Sequence, residues 1–169
     1  MIEISIIQEE LSMIKIDIKS FGPMTFELDP QAAPKTVENF LNLVNKSFYD
    51  GLTFHRIIKG FMIQGGDPKG NGTGGCKPEI VGEFKSNGFD NPISHKRGVI
   101  SMARTSDPNS ASCQFFIVHE DSDFLDGDYA AFGHMVDGFD VLDAIAAIPT
   151  YPDDSPSKKV VIKKISVVD

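Results

Sequence analysis

Tryptophan is absent from this 169-residue chain, and cysteine occurs twice, as Cys76 and Cys113. Two cysteines cannot form a disulfide framework, and their spacing is not that of a zinc site. The expected state of both is reduced and structural. Basic residues are scarce, 16 Lys and Arg against 24 Asp and Glu, for a net charge of -8. Phosphate backbones call for a basic face, so nucleic acid is excluded as a main partner. No run approaches the roughly 18 apolar residues of a membrane-spanning helix, and no membrane partner is expected. The first residues, Met1-Ile2-Glu3-Ile4, carry no basic-then-apolar targeting pattern, so the expected address is cytoplasmic. A Gly-x-Ser-x-Gly elbow is missing, which leaves hydrolase chemistry without support. None of His55, His95, His119 and His134 has metal-ligand spacing to another His or Cys, so no metal is expected.

What the chain does hold is apolar patterning. Residues 14–19 and 24–29 alternate apolar and polar with a period of two, and Ser20-Phe21-Gly22-Pro23 between them has turn chemistry. This predicts an antiparallel hairpin with one wet face. Val37, Phe40, Leu41 and Val44 form one helical stripe, with Pro34 near its start. Short apolar runs at 53–57, 61–64, 99–103, 114–118, 130–132, 160–162 and 165–168 read as strands, and Val141, Leu142, Ile145 and Ile148 predict a second helix. Seven or eight strands with two helices, in no regular alternation, predict a mainly β fold. A closed antiparallel barrel capped by helices is the economical form, because closure removes exposed edges. Residues 1–12 fall outside this scheme as an extension, strand or tail, and 13–169 form a single domain.

Residues 70–75, Gly-Asn-Gly-Thr-Gly-Gly, share the letters of a dinucleotide-binding fingerprint. That motif needs a following helix to hold the pyrophosphate, and Cys76-Lys77-Pro78 begins none. A loop whose backbone approaches another group closely is the better reading.

The densest segment runs from Phe54 to Asp67. Alternation in its second half puts Met62 and Gln64 on one face. Taken alone, it reads first as core residues Phe61 and Met62 beside a solvated edge charge, Arg56. Phe54-His55-Arg56-Ile57-Ile58-x-Gly60-Phe61-Met62-x-Gln64-Gly65-Gly66-Asp67, however, resembles the signature of the cyclophilin-type peptidyl-prolyl cis–trans isomerases. Residues 71–75, 98–103, 114–117, 125–127 and 132–133 resemble further family segments in the family's order.

The resemblance implies an eight-stranded antiparallel barrel with two capping helices, no cofactor, and rotation about X–Pro imide bonds in peptides and folding proteins. Arg56 takes the place of the essential arginine, and Gln64 that of the residue orienting it and the substrate carbonyl. Phe61, Met62, Phe116 and Leu125 correspond to the proline pocket. Gly72, Ala103, Arg104 and Gln114 correspond to the groove for the residues before proline. Phe124 and Tyr129 stand near that pocket where many members have Trp and His. Asn is common at Arg104 and Ser at Cys113. Losing the indole N–H at Phe124 implies weak cyclosporin binding. Single-domain members are usually monomers. A module that binds proline-containing segments without turnover is the competing reading, and retention of Arg56 favours the enzyme.

Overall fold

The structure, a computed structural model, describes residues 12–168. The extension expected at 1–12 therefore lies outside the described residues, apart from Ser12. That residue already pairs with Leu28 as the first residue of β1 (Ser12–Ile18).

β1 and β2 (Gly22–Leu28) form the expected hairpin. Ile14, Ile16 and Ile18 alternate into the core, as do Met24, Phe26 and Leu28 opposite them. Period-two burial fixes the register here, because a one-residue slip of either strand would expose its three inward side chains. Helix α1 (Pro34–Asn45) begins on Pro34, whose missing N–H costs nothing at that position. Its N-cap, Ala33, has no side-chain oxygen to offer. The buried carboxylate of Glu83 serves instead, accepting from the Thr36 N–H and Oγ1, each at 2.7 Å. An anion at that end also suits the helix dipole. Thr36, Val37, Phe40, Leu43 and Val44 face inward, whereas Leu41 is only half-buried.

The chain continues through β3 (Phe54–Ile58), β4 (Met62–Gly65), β5 (Val99–Met102), β6 (Phe115–Val118), β7 (Ala131–Asp137), α2 (Phe139–Ala146) and β8 (Ile162–Val168). All ladders are antiparallel, in the order β3-β4-β6-β5-β7-β2-β1-β8. Helix α2 ends before Ile148, the last residue of its predicted stripe. Among the described residues no helix is long and apolar enough to cross a membrane.

The expected closed barrel is corrected. The eight strands form one curled sheet whose end strands, β3 and β8, share no ladder. They meet at a seam: a single bridge, Thr53 to Val161, with hydrogen bonds from Phe54 N to Val160 O (3.0 Å) and Ile162 N to Leu52 O (2.7 Å). Beyond Ile162 the strand is committed to β1, with a register shift at Asp17/Ile18. That ladder uses one edge of β8, and the other edge meets the β3 side only around the Thr53–Val161 bridge. Counting strands predicts that edges must be hidden, not how long the last ladder is.

Burial on both faces of the central strands sets the site's location. Phe115 and Ile117 of β6 point into the barrel, while Phe116 and Val118 join a second, smaller cluster with Met62, Val99, Leu125 and Ala131. The site is built on this outer cluster.

Candidate active site

The β3–β4 hairpin turns at Gly60, whose φ of 82° is a left-handed conformation that other residues adopt only with strain. This turn sets Arg56 directly opposite Gln64 in the ladder. With Ile57 and Ile63 committed to the core, Arg56, Met62 and Gln64 face outward. Arg56 Nη1 donates to Gln64 Oε1 (3.3 Å), Gln64 Nε2 to Gln114 Oε1 (3.0 Å), and Gln114 Nε2 to Gly74 O (2.7 Å) and Gly72 O (3.2 Å). The guanidinium is thereby linked through two amides to the glycine-rich loop.

That loop is held by one buried carboxylate. Asp67 accepts the N–H groups of Lys69 (2.9 Å), Gly72 (2.6 Å), Asn71 and Gly74 (both 3.2 Å). Burial pushes its carboxyl up, and the four donors outweigh this, so its pKa lies below the usual value. A Cβ on Gly74 would collide with Asp67 Oδ1, which accounts for glycine there. The loop is thus a backbone scaffold around an internal anion, and it holds no nucleotide-binding helix.

Two adjoining cavities open beside this network. The smaller, about 150 Å³, is floored by Met62, Phe116 and Leu125, walled by Phe61, Ala103 and Tyr129, and rimmed by Arg56, Gln64 and Arg104. The larger, about 710 Å³, shares Gln64, Ala103 and Arg104 and extends over Gly72 and Gln114. Eleven of the residues named above as site candidates therefore come together around the two cavities. Phe124 does not. It is 73% exposed and lies against the outside of Phe61, with ring centroids 5.5 Å apart. In the 3-10 turn Asp123–Leu125 it is Leu125 that turns inward, so its neighbour is left on the rim.

Cys113 is fully buried, and burial and the adjacent Cys76 thiol push its pKa up to about 12, so it remains a thiol at neutral pH. Among the described residues no cluster of His, Cys, Asp and Glu is placed to hold a metal ion.

Behind the pocket stands a group that sequence patterning missed. His95 is fully buried, its ring stacked 6.0 Å from Phe116, and the edge of Tyr129 also meets Phe116. His95 Nδ1 lies 2.9 Å from Asp126 Oδ1, and Nε2 lies 2.9 Å from Ser101 Oγ. A carboxylate only accepts, so Nδ1 carries the proton and Nε2 accepts from the Ser101 hydroxyl. Burial pushes the His95 pKa down, with Asp126 opposing it only in part, and burial does the same to His55. The signal available in the sequence was Asp126, inside the segment Leu125-Asp126-Gly127.

A pH dependence follows. An imidazole whose folded pKa is depressed takes up its proton more readily in the unfolded chain. Its stabilisation is whole above the unfolded value of 6.5 and is lost as pH falls toward the lower folded value. The carboxyls of Asp67 and Asp126, both depressed, lose theirs only below 3.8. Scanning calorimetry should show the thermal midpoint falling between pH 7.5 and 5.5, and a flat profile over that window would contradict the buried neutral His95.

Known proteins resemble this chain in sequence and in fold. A family model described as cyclophilin type peptidyl-prolyl cis-trans isomerase/CLD matches residues 13–167. The isomerase CYP18-1 of Arabidopsis thaliana is 40% identical over 149 residues, covering 88% of this chain and 91% of its own length. A putative bifunctional phosphatase/peptidyl-prolyl cis-trans isomerase of Streptococcus pyogenes is 36% identical over 207 residues, covering 99% of this chain. The chain spans only 43% of that protein's length. A crystal structure of a cyclophilin type isomerase from Cryptosporidium parvum superimposes with a TM-score of 0.88 at 32% identity, covering 95% of this chain and 99% of its own. The same parasite protein, in the presence of the dipeptide Ala-Pro, gives 0.86 at 34%, covering 93% of this chain and 99% of its own. On this sequence similarity, and on a fold that carries Arg56 and Phe116 to one pocket, the chain belongs to the cyclophilin-type peptidyl-prolyl cis–trans isomerases.

Proposed function

We propose that the smaller cavity takes the proline ring of a flexible peptide segment and that Arg56 lowers the barrier to rotation about the preceding imide bond. The observation that carries this reading is the state of Arg56. It stands on the rim of a cavity whose floor is Met62, Phe116 and Leu125, with one side-chain hydrogen bond, to a neutral amide, and makes no ion pair among the described residues.

Rotation about an X–Pro bond is opposed by amide resonance, with a barrier of about 20 kcal/mol and an uncatalysed rate of roughly 0.01 per second. Each tenfold acceleration needs about 1.4 kcal/mol off that barrier. No bond breaks and no net proton transfer occurs, so the site's tasks are to hold, to twist and to donate. In the twisted transition state conjugation is lost and the proline nitrogen becomes pyramidal, with a basic lone pair. A permanently charged guanidinium donates to that nitrogen, or to the carbonyl oxygen as it swings, better than it does to the planar ground state. A hydrogen bond of this charge-assisted kind is worth about 1.5–3 kcal/mol net, and more where water is excluded. Met62, Phe116 and Leu125 grip the ring while the carbonyl rotates. Gln64, itself held by Gln114, keeps the guanidinium in place without neutralising it.

Exchange NMR on a short Ala-Pro-Phe peptide tests the reading: catalytic protein should produce cis–trans exchange cross-peaks within seconds. Exchange no faster than in buffer would leave a proline-binding module in its place.

The inhibitor prediction rests on Phe124. With no indole N–H, and lying outside the pocket, this ring offers cyclosporin apolar contact only. An inhibition titration is expected to show weak binding with peptide turnover intact, and Phe124→Trp should tighten it. Tight inhibition of the unaltered chain would refute the assignment.

A further inference from the structure

Arginine occurs at three positions, Arg56, Arg97 and Arg104. Arg97 is neutralised by a two-pronged ion pair with Asp143, at 2.8 and 2.9 Å. The other two both face the proline cavity. Arg104 is held firmly there with no ion pair among the described residues. Its guanidinium lies between two rings, 4.9 Å from the centroid of Phe84 and 4.8 Å from that of Tyr129. Nε donates to Asp128 O (2.9 Å) and Nη1 to Thr105 O (3.0 Å). Both partners are neutral carbonyls, so the charge is oriented but uncompensated, and Nη2 has no partner among the described residues. Arg104 also borders both cavities and so stands at their junction. In a chain with 24 acids this is an unusual place for a fixed, unpaired cation.

We propose that Arg104 is a specificity-determining residue that favours substrates with an acidic side chain immediately before proline. The inference rests on the isomerase reading above. With the ring in the smaller cavity, the preceding residue enters the larger one past Arg104, and its carboxylate meets the free edge of the guanidinium. Lys77 and Glu79, both lining the larger cavity, carry opposite charges, and Arg56 lines only the smaller one, which leaves Arg104 as the arginine that borders the path of the preceding residue. The chain's overall charge of -8 repels acidic peptides, so a preference for glutamate cannot come from its general field.

The test uses peptides of the form Ala-Xaa-Pro-Phe with Xaa Glu, Ala or Lys, and exchange NMR to obtain kcat/KM for each. At low salt the Glu peptide should exceed the Lys peptide by about tenfold, the sum of a weak attraction and a weak repulsion at a half-exposed charge. The ratio should fall toward one in Arg104→Gln, and also in the unaltered protein as salt approaches about 1 M, where charges are screened within about 3 Å. If Arg104→Gln folds poorly, Arg104→Lys, which keeps the charge, should retain the Glu preference, and its loss there would overturn the proposal. Equal turnover of the Glu and Lys peptides, or a ratio unmoved by salt, overturns the proposal and leaves the isomerase reading intact. Failure to turn over any of the three peptides removes both readings together.

Discussion

Alanine at position 56 is expected to lower kcat/KM on an Ala-Pro peptide by at least about tenfold, the equivalent of losing one charge-assisted hydrogen bond in the transition state. The thermal midpoint should move by no more than about 2 °C, because an exposed side chain with one long hydrogen bond contributes little to stability. Met62, Phe116 and Leu125 stay in place, so the loss should fall mainly on kcat. Arg56→Lys is expected to recover little: a flexible, strongly hydrated ammonium is neither planar nor held by Gln64 in one orientation. Activity undiminished in the alanine variant, measured by exchange NMR beside a calorimetric scan, would remove Arg56 from its assigned role.

Phe116→Ala should behave differently, damaging stability and function together. Phe116 is 5% exposed and forms the cavity floor on one side and the packing surface for His95 and Tyr129 on the other. Removing a buried aromatic costs about 3–5 kcal/mol. The lower end applies here, because one face already borders an open cavity. At about 2–4 °C per kcal/mol for a chain of this size, the midpoint should drop by roughly 10 °C. KM should rise more than kcat falls, since the ring grips proline in ground and transition states alike. Phe116→Leu should restore most of the midpoint. A change in KM without a change in the midpoint would mean that Phe116 is not part of the outer cluster.

These two residues differ in how they could be read from sequence. Phe116 sits in an apolar run, and alternation with Phe115 and Ile117 already implies that one set points away from the barrel core. Arg56 is ambiguous from pattern alone, a lone charge in a strand. Only its place in a long family segment distinguished it from a solvated edge residue. The hairpin of β1 and β2, the two helices and most strands were legible because burial follows a local period. β7 was legible only at its start, since Gly133 and His134 interrupt the apolar pattern. Gly133 is there because a Cβ would come within 2.7 Å of Glu27 O on the neighbouring strand.

Other features belong to distance in the chain. His95 and Asp126 are brought together across 31 positions, and the Asp67 carboxylate gathers donors from a loop whose letters suggest a nucleotide site. No local period marks either, because each is a hydrogen-bond requirement of buried groups, satisfied by whatever the fold brings near.

Sequence alone settled the strand-rich class, the existence of the first hairpin, the acid-heavy charge balance and, through its long family segments, the residues gathered at one site. Those depend on interactions between near neighbours or on simple sums. Tertiary structure decided that the sheet stays open with its end strands meeting at one bridge, that Phe124 faces solvent, that His95 is neutral behind Phe116, and that Arg104 is clasped by two rings with no counter-ion among the described residues. Burial and pairing are properties of a residue's surroundings in space, and those surroundings are assembled from segments that the chain keeps far apart.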